Sequence, residues 1–186
     1  MSTGSDFVDA AHGLAEAVKD AAVQPADAMR LLSVLAAPVP PDPVISSAIG
    51  SAIALVQHAT SDLFRRAAVV ALARASAAYQ PTSADDAAAV RDAVCALIDA
   101  EIMIAGDLGQ DATFNALREV RSAVSLDLAT RGAGLASIIT VTSPQPVSAP
   151  VLAQRLYRAP GRADELVVQA NPIHPAFMPI SFKARS

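Results

Sequence analysis

The chain has 186 residues, a formal charge of −4 and a pI near 5.2. A hydrophobic content of 53% argues against a disordered chain and is enough for one substantial core or two small ones. The fourteen lysines and arginines are scattered and form no stripe, which argues against a nucleic-acid surface, because neutralising phosphates takes clustered positive charge. Much of the apolar content is alanine, which buries little area per residue, and there is no Trp, with only two Tyr and five Phe. Large assembly interfaces could supply the burial that such a monomer lacks. The single cysteine, Cys95, sits in an apolar helical run; it allows no intrachain disulfide and reads as a buried, inert thiol. The opening Met-Ser-Thr-Gly-Ser-Asp has neither a basic n-region nor an apolar core, so no signal peptide is expected and the protein should stay in the cytoplasm until assembly.

Ser5 is a candidate N-cap for a helix from Asp6 to about Ala22, with Phe7, Ala11, Leu14, Ala15 and Val18 at helical spacing. Pro25 opens a second helix to about Ala36, so residues 1–37 read as a helical hairpin. Four prolines in residues 38–43 make a stiff spacer. From Val44 or Ser46 to Tyr79 a proline-free pattern of Ile49, Ile53, Val56, Leu63, Val70 and Leu72 predicts a long helix, with a possible break between His58 and Ser61. The apolar stretch 44–56 is too short and too serine-rich to span a bilayer and reads as a buried or assembly-facing helix.

Ser83 starts the next helix, with Asp85 and Asp86 favouring its dipole, and that helix should run to about Ala105. Gly106 to Gly109 is a turn, Asp111 or Thr113 caps a helix to Thr130, and Gly132-Ala-Gly134 closes it. Residues 44–134 thus predict a bundle of antiparallel helices. In residues 135–186 the pattern changes. Ser137–Thr142 is rich in β-branched residues and ends in Ser143-Pro144-Gln145-Pro146. Two short helical patterns follow, one carrying Val151, Leu152, Leu156 and Tyr157, the other Ala163, Leu166, Val167 and Ala170. A turn, Asn171-Pro172-Ile173-His174-Pro175, leads to an apolar run at 180–182. The fold class is therefore mainly α, a helical bundle followed by a small α+β module in the order strand-helix-helix-strand.

Catalytic and metal-binding machinery is hard to assemble from these residues. His12 and His58 lie in helical segments without a second ligand at i+4, and His174 between its prolines reads as a turn residue that hydrogen-bonds locally. The pairs Asp85-Asp86 and Asp164-Glu165 are adjacent on helices and so point about 100° apart, and Asp99 and Glu101 have the same difficulty. There is no phosphate-binding loop, nucleophile elbow or zinc spacing. No catalytic residue, metal or cofactor is expected. Arg65-Arg66 is the densest basic spot and reads as a solvated helix face or an ion pair.

The runs Leu152-Ala-Gln-Arg-Leu-Tyr157, Arg162-Ala-Asp-Glu-Leu-Val167 and Asn171-Pro-Ile-His-Pro175 resemble the C-terminal end of the DNA circularisation proteins of Mu-like tailed phages. They also resemble, more loosely, a LysM-type module, in which a Leu-Tyr near the end of the first helix and an Asn-Pro after the second are typical. Upstream, residues 65–75 and 87–94 are similar to that family's helical region. Two departures stand out. Family members usually carry a further N-terminal domain, for which 186 residues leave no room, and the family's Pro-Gly-Gly before the last strand is replaced by Met178-Pro179-Ile180-Ser181.

The resemblance implies a non-enzymatic tail or baseplate component of a virion, assembled in the bacterial host cytoplasm. It would act as an adapter between tail tube and hub or neighbouring baseplate proteins, in a homo-oligomeric ring of six-fold or three-fold symmetry. Leu152, Leu156, Tyr157, Leu166 and Phe177 would form the module's miniature core, with Asn171, Pro172, His174 and Pro175 completing the motif. Arg155, Arg158, Arg162, Asp164 and Glu165 would point outward and select the partner. The alternative is a LysM-like module binding peptidoglycan between loops 143–149 and 171–179, where only Phe177 could stack on a sugar. Direct DNA binding is not expected, despite the family's name.

Overall fold

The computed structural model describes residues 3–37 and 47–186; the expected proline-rich spacer 38–43 and the expected helix start at Val44 or Ser46 lie outside the described residues. The chain is mainly helical, with a small two-stranded antiparallel sheet near its C-terminus, and its packing divides into two compact units.

The first unit comprises residues 1–80 and 88–130. It holds α1 (Thr3–Ala21), α2 (Pro25–Ala36), α3 (Ala48–Ala78), and most of α4 (Ala84–Asp107) and α5 (Asp111–Ala133). Pro25 occupies the first turn of α2, where its missing N–H costs nothing. Ser47 caps α3, its Oγ accepting the Gly50 N–H at 3.1 Å. The 31-residue α3 runs unbroken through His58–Ser61 for about 46 Å, since no proline or glycine interrupts it there and the Arg65–Asp62 ion pair spans the next turn. Gly106 does not end α4, which continues to Asp107; the turn comes at Gly109, whose φ of 65° is the left-handed conformation glycine adopts freely.

The core of this unit joins Met29 and Leu32 of α2, Val69 and Leu72 of α3, Val94, Ile98 and Ile102 of α4, and Leu117, Val124 and Leu128 of α5. Residues expected to form a separate hairpin therefore share one core with the longer helices. Between the large side chains sit Ala15, Ala28, Ala36, Ala67, Ala68, Ala71 and Ala75, all buried. Burying a leucine or isoleucine contributes about 2 kcal/mol and an alanine methyl well under half of that, so close approach replaces bulk here. Cys95 is buried in the same core, and burial pushes its thiol pKa up.

The second unit comprises residues 81–87 and 131–186. Its strands β1 (Ile138–Thr142) and β2 (Ser181–Arg185) pair antiparallel from Ile138↔Arg185 to Thr142↔Ser181. Between them come α6 (Ala149–Tyr157), a 3-10 turn at Pro160–Arg162, and α7 (Ala163–Ala170). The unit also takes in the first turn of α4 and the last turn of α5. The Ala84 N–H donates to the Ala136 carbonyl at 3.1 Å, and the Ile138 N–H to Asp85 Oδ2 at 2.5 Å. Gly132 lies so close to Ala87 that a Cβ added to it would come 2.7 Å from the Ala87 Cβ. The glycine that was expected to close α5 is thus a buried helical residue needed for close approach. Among the described residues, no helix is long and apolar enough to cross a membrane.

Candidate functional site

The module's core consists of Val141, Ala149, Leu152, Ala153, Leu166, Met178 and Ala184, with Leu156, Tyr157, Val167 and Phe182 packed against it. Four of the five expected core residues are there. Leu152 and Leu166 are buried, and Leu156 and Tyr157 half-buried. Phe177 is not: it is 69% exposed, while Met178 is fully buried in the position assigned to it. The backbone explains the exchange. The Met178 N–H donates to the Val147 carbonyl at 3.0 Å and the Phe177 N–H to the His174 carbonyl at 2.9 Å, which turns Met178 inward and Phe177 out.

Loop 171–180 is stapled to the segment after β1 by main-chain bonds. Besides Met178 to Val147, the Ala149 N–H donates to the Pro175 carbonyl at 2.9 Å, and the Ser143 N–H to the Ile180 carbonyl at 2.8 Å. His174 Nδ1 accepts the Ala176 N–H at 3.1 Å, so the local turn role read for this histidine is what the structure places there. Asn171 caps α7 in the left-handed conformation, φ 42°, which asparagine tolerates, and Pro172 follows where the helix can no longer continue. These constraints hold out a shelf of apolar side chains. Ile173, Phe177 and Ile180 are 107%, 69% and 57% exposed around a hollow of about 430 Å³, backed by Pro146 and Pro172. The ring of His174 lies 6.2 Å from that of Phe177. The proline-rich motif was visible in the sequence; Ile173 and Ile180 as exposed members of the shelf were not.

The charged residues divide differently from the expectation. Arg155, Arg158 and Asp164 are exposed. Arg162 instead clamps Glu165 through two bonds of 2.7 and 2.9 Å and stacks on Tyr157, with its guanidinium carbon 3.9 Å from the ring centroid. The bond to Arg162 holds the Glu165 carboxyl below its usual range. The Tyr157 hydroxyl donates to the Arg185 carbonyl at 2.6 Å; burial first, then the Glu165 charge, raises its pKa against the opposing pull of Arg162. Arg162 and Glu165 therefore serve the module's own structure as well as its surface. The i,i+3 spacing of the pair was the signal that could have shown this.

The other candidate carboxylates, Asp85, Asp86, Asp99 and Glu101, have separate partners. Asp86 Oδ2 accepts the N–H and hydroxyl of Thr82, Asp85 accepts from Ile138, and Asp99 pairs with Arg121. Glu101, 1% exposed, receives Arg65 Nε at 2.5 Å and Arg66 Nε at 2.6 Å, while Arg65 also reaches Asp62 at 2.7 Å. Arg65-Arg66 is accordingly an ion-pair cluster, and a buried one at Arg65, which is 4% exposed. Burial disfavours the Arg65 charge, but the bonds to Glu101 and Asp62 outweigh it and raise the pKa. His12 and His58 are half-buried on α1 and α3, and among the described residues no group of three or more His, Cys, Asp or Glu is placed to hold a metal ion. The chain matches no family model and no curated protein.

Proposed function

We propose that the protein is a non-enzymatic structural component of a phage tail or baseplate, an adapter that joins tail tube and hub or neighbouring baseplate proteins within a homo-oligomeric ring of three-fold or six-fold symmetry. In this reading it is assembled in the host cytoplasm, resides in the virion, and contacts no DNA directly. The observation that carries it is the motif run from Leu152 to Pro175, folded into a small module whose turn 171–180 presents Ile173, Phe177 and Ile180 to solvent. Clustered apolar exposure of this kind on a small module is typical of a protein-docking surface. The exposed Arg155, Arg158 and Asp164 would set register around it.

The test is co-purification with the tube and hub proteins, together with mass spectrometry of purified virions. Phe177→Asp and Ile173→Asp are the informative variants because both side chains are exposed, and each should abolish co-assembly while leaving the helical circular dichroism unchanged. Arg162→Glu is a poorer probe, since it would also break the Glu165 clamp. Absence of the protein from virions, or unaltered assembly with both aspartates, refutes the reading.

A second reading is favoured by one observation. The hollow beside Phe177 lies between the two loops that would grip a glycan in a LysM-like module, and Phe177 is exposed to stack on a sugar. Retention on insoluble peptidoglycan, lost in Phe177→Ala, would support this reading over the adapter.

A further inference from the structure

The first three turns of α3 are amphipathic in reverse. Ile49, Ile53, Leu55 and Val56 are 75%, 56%, 71% and 64% exposed, whereas Ala54 is buried and Gly50 and His58 are half-buried. At 100° per residue, Leu55, Ala48, Ala52, Val56, Ile49 and Ile53 span an arc about 160° wide, centred opposite Ala54. The helix thus turns Ala54, with Gly50 and His58 beside it, to its own chain, while its branched aliphatics face solvent along with Ser51 and Gln57. A helix whose only partner is its own core does the opposite.

Three features point to the occupant of this face. Ile49, Ile53 and Val56 follow the 4–3 spacing of a coiled-coil seam, which Thr60 and Leu63 continue. β-Branched residues at both seam positions favour three or four strands over two. Residues 44–61 contain no Asp, Glu, Lys or Arg. The flanking charges that select a foreign helix are missing, and so are the lysines and arginines that anchor a helix on lipid. Beside the seam, Ala48 and Ala52 leave room for an identical seam to approach. The exposed parts of the four aliphatic side chains come to roughly 500 Å² per protomer, below the ~800 Å² that each partner contributes to a standard interface. Such an arm joins copies reversibly and depends on concentration.

We propose that residues 48–60 of α3 form a self-association arm through which three copies of this chain pack as a parallel coiled coil. The proposal deepens the oligomeric part of the adapter reading and rests on it for the role of the trimer, while the trimer itself stands on the arm alone. The experiment is native mass spectrometry and sedimentation of the full chain over a concentration series. Ile53→Asp and Ile49→Asp/Val56→Asp are compared with Val23→Asp, a control at an apolar residue that is 90% exposed outside the arm. Expected are trimers for the wild type and the control, and monomers with unchanged circular dichroism for the arm variants. A wild-type monomer, a dimer, or a trimer that survives the arm substitutions overturns the proposal. Should the aspartates lower helicity, a spin label at Ala52→Cys in a Cys95→Ala background decides: dipolar coupling between copies supports the arm, and its absence overturns it. Failure here leaves co-assembly through the Phe177 shelf intact, whereas a trimer that never enters virions refutes the tail role and leaves the arm standing.

Discussion

Glu101→Gln isolates the physics of the buried charge cluster in the helical unit. The carboxylate is 1% exposed and receives both Arg65 and Arg66; Arg65 is 4% exposed, and its Nη1 and the Nη2 of Arg66 are buried without a protein partner. The amide keeps the shape but carries no charge, and it turns an NH2 toward one of the two guanidiniums. Arg66, with 23% of its side chain exposed, can rotate to water, whereas Arg65 cannot. Removing one partner of a buried pair costs about 3–5 kcal/mol, a third or more of the stability of a typical domain. With a urea slope of about 2 kcal/mol per molar, the unfolding midpoint should fall by roughly 1.5–2.5 M, read from helical circular dichroism at unchanged slope. Arg65→Met combined with Glu101→Leu should be less destabilised than Glu101→Gln, because no uncompensated charge is left behind and Asp62 and Arg66 can both reach solvent. A loss below about 1 kcal/mol for Glu101→Gln would refute the argument, since it would mean that water reaches the cluster and screens it.

The other predictions concern the C-terminal unit. Tyr157→Phe removes the bond to the Arg185 carbonyl and should cost about 1 kcal/mol in thermal unfolding. Because the folded-state pKa of Tyr157 is raised, its contribution is fully present below the ordinary tyrosine pKa and is lost as pH rises through the folded value. Alkaline destabilisation should therefore be smaller in Tyr157→Phe, with a raised tyrosinate titration in the wild type that the variant lacks. Arg158 caps α6 at φ 53°, a conformation that strains a side chain, so Arg158→Gly should stabilise the unit by about 0.5–1 kcal/mol; a lowered melting temperature would contradict this. Gly132→Ala should destabilise by about 1–3 kcal/mol through its clash with Ala87, and Gly132→Ala/Ala87→Gly should recover part of that loss in the same assay.

Most elements were legible because local signals agreed. Pro25 marks the start of α2, Ser83 the start of α4, and the change from helical spacing to β-branched Ile138–Val141 marks β1. Long-range choices were not legible. Nothing local distinguishes Phe177 from Met178 as the buried residue, because the turn between Pro175 and Pro179 has no periodicity and main-chain bonds to Val147 and His174 decide it. Glu101 lies 35 or 36 positions from its arginines, so their pairing depends on the register of α4 against α3. The apolar spacing of Ile49, Ile53 and Val56 was plain, yet periodicity names a face without saying whether it turns inward. The Arg162–Glu165 clamp is local and could have been read from its spacing.

The placement of bulk in this chain bears on the assembly reading. The helical core relies on alanine at Ala67, Ala68, Ala71 and Ala75, while Ile49, Ile53, Leu55 and Val56 on the same helix face water. The C-terminal unit repeats the pattern, burying Ala149 and Ala153 and exposing Ile173, Phe177 and Ile180. Scattered exposed aliphatics are ordinary, but these cluster at one end of one helix and on one turn. A burial of about 25 cal/mol per Å² is forgone at each cluster while the protein is alone, and becomes available when a partner covers it. Two separate clusters, one uncharged and seam-like, the other proline-backed, would allow the proposed subunit to join copies of itself through one and a different protein through the other. An adapter within a ring needs both kinds of surface, and a free-standing binding module needs only the second.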